Sequence, residues 1–110
     1  MAYTPKSLID ATDAESVQTT QYTATNVRTL IQLFTATNTT AGALTISVNI
    51  VPAAASAGDS NLIVDEKQIN AGETYNFPEL AGHILEESDF ISTLASATGL
   101  TIKASGVEIT

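Results

Sequence analysis

The sequence predicts an all-β protein folded as a single β-sandwich of seven or eight strands. Threonine, valine and isoleucine are abundant, and long helix-favouring runs of Ala, Leu, Glu and Lys are missing. Apolar and polar residues alternate over residues 44–51, as in a strand with one buried face. Short apolar runs are separated by turns rich in Asn, Gly, Ser and Thr. An immunoglobulin-like and a jelly-roll strand order both remain open, and a small closed barrel is the alternative.

The chain divides into a less regular N-terminal segment and the sandwich itself. Residues 1–26 are expected to form an arm or an outer strand, because the periodicity of the first 15 or so residues is weak. Within this segment, residues 17–23 are polar and rich in threonine, which is typical of an edge strand. Residues 27–110 are expected to form the sandwich. A chain of 110 residues is the size of one domain overall.

Two strands are predicted near the centre of the sequence. Residues 27–36 are apolar but alternate poorly, which indicates a central strand covered on both faces. Residues 44–51 follow, and Pro52 ends them because proline cannot donate to a sheet. The intervening Asn, Thr and Gly residues of 37–42 are typical of a turn. We therefore predict that the two strands form a β-hairpin.

The C-terminal half contains four more predicted strands. Residues 61–69 and 73–77 are short and lie on either side of an Asn-Ala-Gly turn. Residues 89–95 and 100–104 flank a Ser-Ala-Thr-Gly turn, which predicts a second hairpin. The apolar alternation changes phase at Ser105-Gly106, which indicates a β-bulge at that point.

The only histidine of the chain, His83, lies in a stretch that predicts a turn and no reaction centre. Residues 78–83 have a proline first, an acid early and a glycine late, which is how a short helical turn is bounded. His83 stands beside apolar residues, and no G-x-S-x-G nucleophile motif occurs. The chain has no cysteine, which excludes thiolate catalysis and disulfides. We therefore expect no enzymatic activity and no cofactor.

Calcium is the remaining candidate ligand, because carboxylate and amide oxygens cluster on two turns. No D-x-[DN]-x-[DN]-G loop is present, and acids also collect on turns simply because turns are wet. The sequence therefore favours no metal. The two groups that could hold a calcium ion are Glu86, Glu87 and Asp89, and Asp59, Asn61 and Asp65.

The charge of the chain is strongly negative and unevenly distributed. The net charge is −8, which disfavours binding to nucleic acid and to anionic membranes. Residues 29–58 and 90–102 contain no charged residue. These segments are either core strands with an uncharged wet side or strands covered by another chain, since interface centres are depleted in charge. The candidate interface residues, on the side of the strand opposite Ile46, are Thr45, Ser47, Asn49 and Val51.

Several short motifs, in their order along the chain, resemble a group of small proteins encoded in the structural gene clusters of tailed phages and prophages. The similarity covers roughly residues 27–110. One departure is Glu87-Ser88-Asp89, where similar proteins often have glycine before the acid. The motifs are Asn38-Thr39-Thr40, the S-A-G-D of residues 56–59, the A-G-E-T-Y of residues 71–75, the P-E-L-x-G-x-x-L-E of residues 78–86 and the A-S-G-V-E-I of residues 104–109.

The resemblance implies an all-β structural protein of the virion, assembled in the host cytoplasm, with no catalytic residues. The expected role is a capsid decoration protein that binds the outer capsid surface. Its expected partners are other copies of itself, as a homo-oligomer and most simply a trimer, and virion proteins such as the major capsid protein. The alternatives are a head–tail connector, neck or tail-fibre adaptor component, and a carbohydrate- or receptor-binding module using Tyr3, Tyr22 or Tyr75.

Overall fold

The computed structural model describes residues 2–110 as two antiparallel sheets packed around one apolar core. A three-residue 3₁₀ turn, Asp59–Asn61, precedes the fifth strand. The predicted all-β class and the β-sandwich are confirmed. The strands are β1 (Tyr3–Asp13), β2 (Thr19–Thr23), β3 (Arg28–Asn38), β4 (Leu44–Val51), β5 (Leu62–Ile69), β6 (Thr74–Asn76), β7 (Ile84–Leu85), β8 (Phe90–Ala95) and β9 (Leu100–Ile109).

The order of the strands distinguishes between the two sandwiches that the sequence left open. The first sheet has the order β1-β9-β3-β6, with the two-residue β7 also paired to β3, and the second has the order β2-β8-β4-β5. Early strands pair with late ones: β1 with β9, β2 with β8, β3 with β6 and β4 with β5. This is a long hairpin wound into two sheets, which is the jelly-roll arrangement of two Greek keys.

Both hairpins predicted from turn composition are wrong. β3 belongs to the first sheet and β4 to the second, so the loop between them crosses from sheet to sheet. The same is true of β8 and β9. Asn, Thr, Ser and Gly allow the chain to reverse, but they do not decide whether the flanking strands pair with each other. In a jelly roll the pairing is decided by partners far away in the sequence.

The prediction that the third strand is covered on both faces is also wrong. Ile31 and Phe34 are fully buried, but Leu33 is 48% exposed on the outer face of the first sheet. Ile31 pairs with Gly106 and Leu33 with Ser105, so Gln32 is an extra residue in a bulge. The bulge explains the poor alternation, because it shifts the phase of the apolar positions by one residue.

The sequence predicts a bulge in β9 at Ser105-Gly106, but the structure has bulges opposite this point, in the neighbouring strands β1 and β3. β9 runs unbroken to Ile109, while the extra residues opposite this point are Gln32 in β3 and Leu8 in β1. A Cβ on Gly106 would overlap the carbonyl oxygen of Leu30. Glycine is therefore required here because the backbone of β3 approaches too closely for any side chain.

The core is formed by inward-facing residues of both sheets and closed by the turn after β6. Phe34 and Phe77 meet edge to face, with ring centroids 5.3 Å apart. Residues 78–82 form a hydrogen-bonded turn and no helix, which corrects the helical turn predicted at 78–83; the 3₁₀ turn lies at 59–61 instead. Leu80 and Leu85 are fully buried beside this turn. Residues 2–110 contain no helix long and apolar enough to cross a membrane.

Candidate interaction surface

Three neighbouring strands of the second sheet, β2, β8 and β4, contain no charged residue. β8 lies between the other two, so the charge-free stretches 29–58 and 90–102 meet side by side although they are distant in the sequence. The twelve acidic residues of the chain all lie outside these strands. The outer face of β2-β8-β4 is therefore an uncharged surface on a strongly acidic protein.

A shallow groove follows β4 and β8 on this outer face. Its main part has a volume of about 250 Å³ and is lined by Ser47, Asn49 and Leu94, together with Gln18 from the segment before β2. An adjoining hollow of about 140 Å³ shares Ser47 and Leu94 and extends to Thr45. Leu94 pairs with Ser47 across the strands and is 38% exposed. The groove therefore combines hydroxyl and amide groups with one accessible apolar side chain, and its β5 side is lined by acids.

The four residues predicted as an interface share this face but differ in accessibility. Thr45 and Ser47 are half-buried and line the groove. Asn49 is only 3% exposed, because its Nδ2 donates to the carbonyl oxygen of Gly58 at 3.0 Å and to Oδ1 of Asn61 at 2.8 Å. Val51 is fully buried at the end of β4. Two of the four are accessible, and Asn49 instead anchors the loop between β4 and β5.

One wall of the groove is built by a bulge in β5. Ile46 pairs with Lys67 and Val48 with Val64, which leaves an extra residue on β5. Glu66 adopts a φ of 48°, in the left-handed region, and its N–H donates to Oγ of Ser47 at 3.0 Å. The bulge turns the exposed acids of β5, with Asp59 from the 3₁₀ turn, towards the groove. Nothing in the sequence indicates this bulge, because Glu is an unusual residue for the left-handed region.

The acidic stretch around residue 87 stabilises a turn. Oδ1 of Asp89 accepts from the N–H of Ala53 at 3.0 Å, and Oδ2 accepts from the N–H of Glu86 at 3.0 Å. Arg28 binds both carboxylate oxygens of Glu86, at 3.0 and 3.3 Å. Ser88 has a φ of 73°. Glycine is the residue best suited to that conformation, so the departure from the phage-protein motif falls where glycine would fit best.

His83 and the acidic turns, the parts of the chain considered for catalysis and metal binding, do not form a shared site among residues 2–110. His83 is exposed, and its backbone carbonyl accepts from the N–H of Ile31 at 2.9 Å. In the part of the chain that the structure describes, no three His, Asp or Glu side chains converge as ligands of a metal ion. Glu86, Glu87 and Asp89 are among the side chains that do not converge. The carboxylates of Glu86 and Asp89 are instead engaged by Arg28 and by backbone N–H groups. In the other group, Oδ1 of Asn61 accepts from Nδ2 of Asn49 at 2.8 Å and from the N–H of Gly58 at 3.1 Å.

A polar cluster ties the two sheets together near the chain termini. The hydroxyl of Tyr22 from β2 donates to Oε2 of Glu108 at 2.6 Å and lies 2.8 Å from Oγ1 of Thr29. Nζ of Lys6 lies 3.4 Å from the same Glu108 oxygen. Burial, followed by the hydrogen bond to Glu108, raises the pKa of Tyr22 to about 12. The phenol therefore stays protonated at neutral pH, as a structural cross-link requires.

The three tyrosines considered for sugar binding lie away from the groove. Tyr22 is 8% exposed, and Tyr75 is half-buried with its ring 4.8 Å from that of Phe77. Nζ of Lys67 covers Tyr75 at 4.4 Å from the ring centroid. Tyr3 is 65% exposed, but it lies on the first sheet. Among residues 2–110, no aromatic side chain lines the groove to stack on a sugar ring.

The chain matches no family model, no curated protein and no solved structure. The groove offers hydrogen-bonding groups, an apolar side chain and an acidic margin, and Oγ of Ser47 accepts from the N–H of Glu66. Such a surface is suited to binding.

Proposed function

We propose that this protein is a capsid decoration protein of a tailed phage or prophage, and that it binds the outer surface of a protein shell without catalysing a reaction. The observation that carries the proposal is the uncharged face of β2-β8-β4, whose groove has acids only along the side formed by β5 and the 3₁₀ turn, on a chain of net charge −8. Interface centres are depleted in charge, so this face has the composition of a surface that another protein covers. Jelly rolls are a common scaffold of viral capsid proteins, which agrees with the resemblance of the sequence.

The size of the groove favours a protein partner over a small molecule. At about 250 Å³ it is open and lies below the ~300–1,000 Å³ of typical small-ligand pockets. Thr45 and Ser47 offer hydroxyl groups along its length, and Leu94 offers an apolar contact. Asp65 and Glu66 flank the groove and can pair with a lysine or arginine. We infer an extended polar segment of the shell protein, with a basic residue at one end, as the bound element.

The overall charge agrees with a position outside the shell. A surface of net charge −8 is repelled by nucleic acid phosphates, so the protein is better placed away from packaged DNA. The same charge opposes non-specific aggregation of copies that are not bound to a particle.

Co-sedimentation with shells tests this proposal. The purified chain is mixed with particles of the phage whose gene cluster encodes it, from which the native protein has been removed. Ser47→Lys places a long, charged side chain in the groove, and we expect particle affinity to fall about tenfold or more. Thr98→Lys is the matched control, because Thr98 is exposed in the loop between β8 and β9 and lines neither the groove nor the adjoining hollow. It should bind like the wild type.

The copy number at saturation separates the two virion roles. Many copies per particle support decoration of the shell, whereas a few copies at one vertex would replace that role with a connector or neck component. Unchanged binding of Ser47→Lys, with the fold intact by circular dichroism, would refute the groove as the contact. Saturable binding of the isolated chain to glycans would point to a receptor-binding module instead.

A further inference from the structure

A second surface, on the opposite side of the molecule, is apolar and is not used by the proposed shell contact. Strand pairing brings Tyr3 beside Ile109 and sets Leu30 between Val107 and Ile84. The pairing of Leu33 with Ser105 places Leu33 on the same outer face. We call this surface the first-sheet patch. Its members, from β1, β3, β7 and β9, are Tyr3, Leu30, Leu33, Ile84, Val107 and Ile109.

The patch is larger than the scattered apolar residues of an ordinary surface. Tyr3 is 65% exposed, Leu33 48% and Ile84 43%, and the other three are partly exposed. The three most exposed side chains alone present roughly 300 Å² of apolar surface. This is already the size of the largest patch on a typical monomer, and such patches mark interaction sites.

The charges around the patch favour another copy of this chain as its partner. None of the six side chains is charged, although the chain carries twelve acidic residues. Arg28, paired beside Ile109, is neutralised by both oxygens of Glu86. The strands of this sheet hold as many cationic residues as acids: Lys6, Arg28 and Lys103 against Asp10, Asp13 and Glu108. These strands therefore carry little of the net charge of −8, and two copies repel each other only weakly across this face, whereas a basic partner would be drawn to the carboxylates elsewhere.

The edges of both sheets are protected against pairing with another chain. β1 carries Pro5, Lys6 and two irregular pairings, and β5 carries charged residues and two irregular pairings. β2 and β6 have only five and three residues. Proline, lysine, bulges and short length are the features that prevent edge-to-edge association. Copies of this chain are therefore expected to meet through a face.

We propose that the first-sheet patch is the surface through which copies of this chain contact one another. β3 has 11 residues, which span about 36 Å, and the three long strands β1, β9 and β3 cover about 14 Å; β6 and β7 add a further ~5 Å of width beside five residues of β3. The outer face therefore offers on the order of 600 Å², at the lower end of the ~600–1,000 Å² per partner of a stable interface. The apolar patch forms its centre, and polar residues such as Thr35 and Lys103 form its margin. This proposal does not depend on the shell contact, since the groove lies on the other sheet.

Light scattering coupled to size exclusion tests the proposal on the full chain. We expect the wild type to elute with a mass that is a multiple of 11.5 kDa. Leu33→Glu places a carboxylate at the patch, and its mass should fall to that of one chain. Leu94→Glu makes the same change at a similarly exposed leucine of the second sheet, and its mass should equal that of the wild type.

Tyr3→Glu is a second disrupting variant, at the most exposed position of the patch, and it replaces Leu33→Glu if that variant does not fold by circular dichroism. A wild type that remains a single chain of 11.5 kDa at the highest soluble concentration would overturn the proposal. A folded Leu33→Glu or Tyr3→Glu variant of unchanged mass would overturn it as well. These results are independent of particle binding by Ser47→Lys, so failure of one proposal is distinguishable from failure of the other.

Discussion

Asn38 is expected to be one of the most important polar residues for stability, because a single buried amide shapes the loop that joins the two sheets. Its Nδ2 donates to the carbonyl oxygens of Gly42 at 2.8 Å and of Ile69 at 2.9 Å. Its Oδ1 accepts from the N–H and the hydroxyl of Thr40, at 2.9 and 2.7 Å. The side chain is fully buried at the end of β3, so water cannot replace these partners without a structural change.

Asn38→Ala should lower the free energy of unfolding by about 3–5 kcal/mol. Each buried group left without a partner costs ~1–3 kcal/mol, and the substitution affects two carbonyl oxygens and one backbone N–H. Gly42 and Thr40 lie in an accessible loop and can recover hydrogen bonds to water, whereas Ile69 is fully buried. The loss is therefore smaller than three full penalties, yet it is a large part of the ~5–15 kcal/mol of a typical domain.

Asn38→Asp gives a sharper test, because it keeps the shape and removes the donor. The introduced carboxylate would face the carbonyl oxygens of Gly42 and Ile69 in a buried site, which raises its pKa above the ordinary ~3.9. A group with a raised folded-state pKa is most favourable below its unfolded pKa and becomes unfavourable as the pH rises through the folded value. The variant should therefore be strongly destabilised at pH 7 and should recover part of its stability, relative to the wild type, near pH 4.

Urea denaturation of the wild type and both variants at pH 7 and pH 4 measures these effects. Asn76→Ala is the control, since Asn76 is an exposed asparagine on β6 and should change stability by no more than ~0.5 kcal/mol. A loss below ~1 kcal/mol for Asn38→Ala would refute the reasoning. So would an Asn38→Asp variant as stable as the wild type at pH 7.

Three further predictions concern backbone geometry and the tyrosine cluster. Gly106→Ala should lower the free energy of unfolding by on the order of 3 kcal/mol or more in thermal unfolding, because its Cβ overlaps a backbone carbonyl. The control Gly42→Ala meets open space and should stay within ~1 kcal/mol of the wild type. Equal effects of the two substitutions would contradict the clash. Ser88→Gly should raise the urea midpoint by the equivalent of ~0.5–1 kcal/mol, since the φ of 73° strains a serine; a lower midpoint would contradict this. The stabilising effect of the protonated Tyr22 is complete below pH ~10 and is lost as the pH rises towards 12. The expected loss in the free energy of unfolding is about 1–2 kcal/mol, after allowing for solvent screening at Glu108. Tyr22→Phe should remove this dependence from urea titrations at high pH, and an unchanged dependence would assign it to another group.

Local patterns in the sequence were sufficient to locate most of the strands. The alternation over residues 44–51 corresponds to β4, and the threonine-rich segment 17–23 contains β2, an edge strand. The two charge-free stretches were also visible in the sequence. Their meeting in one sheet was not visible, because β4 and β8 are joined by pairing between residues 39 to 49 positions apart. Local patterns carry no information about partners at that distance.

The candidate site was located only in part for a similar reason. The polar side of β4 was predicted as an interface, but Asn49 is buried by hydrogen bonds to a loop whose path the sequence does not reveal. The bulge that brings Glu66 to the groove depends on a left-handed glutamate, which no propensity predicts. The first-sheet patch was missed because its six residues are spread from position 3 to position 109 and become neighbours only through strand pairing.

The sequence by itself determined the all-β class, the positions of most strands, the negative charge and the absence of cysteine. These properties follow from composition and from the two-residue period of a strand, which are local. The tertiary structure decided that β3 and β4, and likewise β8 and β9, separate into different sheets, and hence that the sandwich is a jelly roll. It also decided which uncharged and apolar residues share a face. The physical reason is that sheet pairing depends on hydrogen bonds and core packing between distant segments, and a turn that reverses the chain is compatible with either a hairpin or a crossing between sheets.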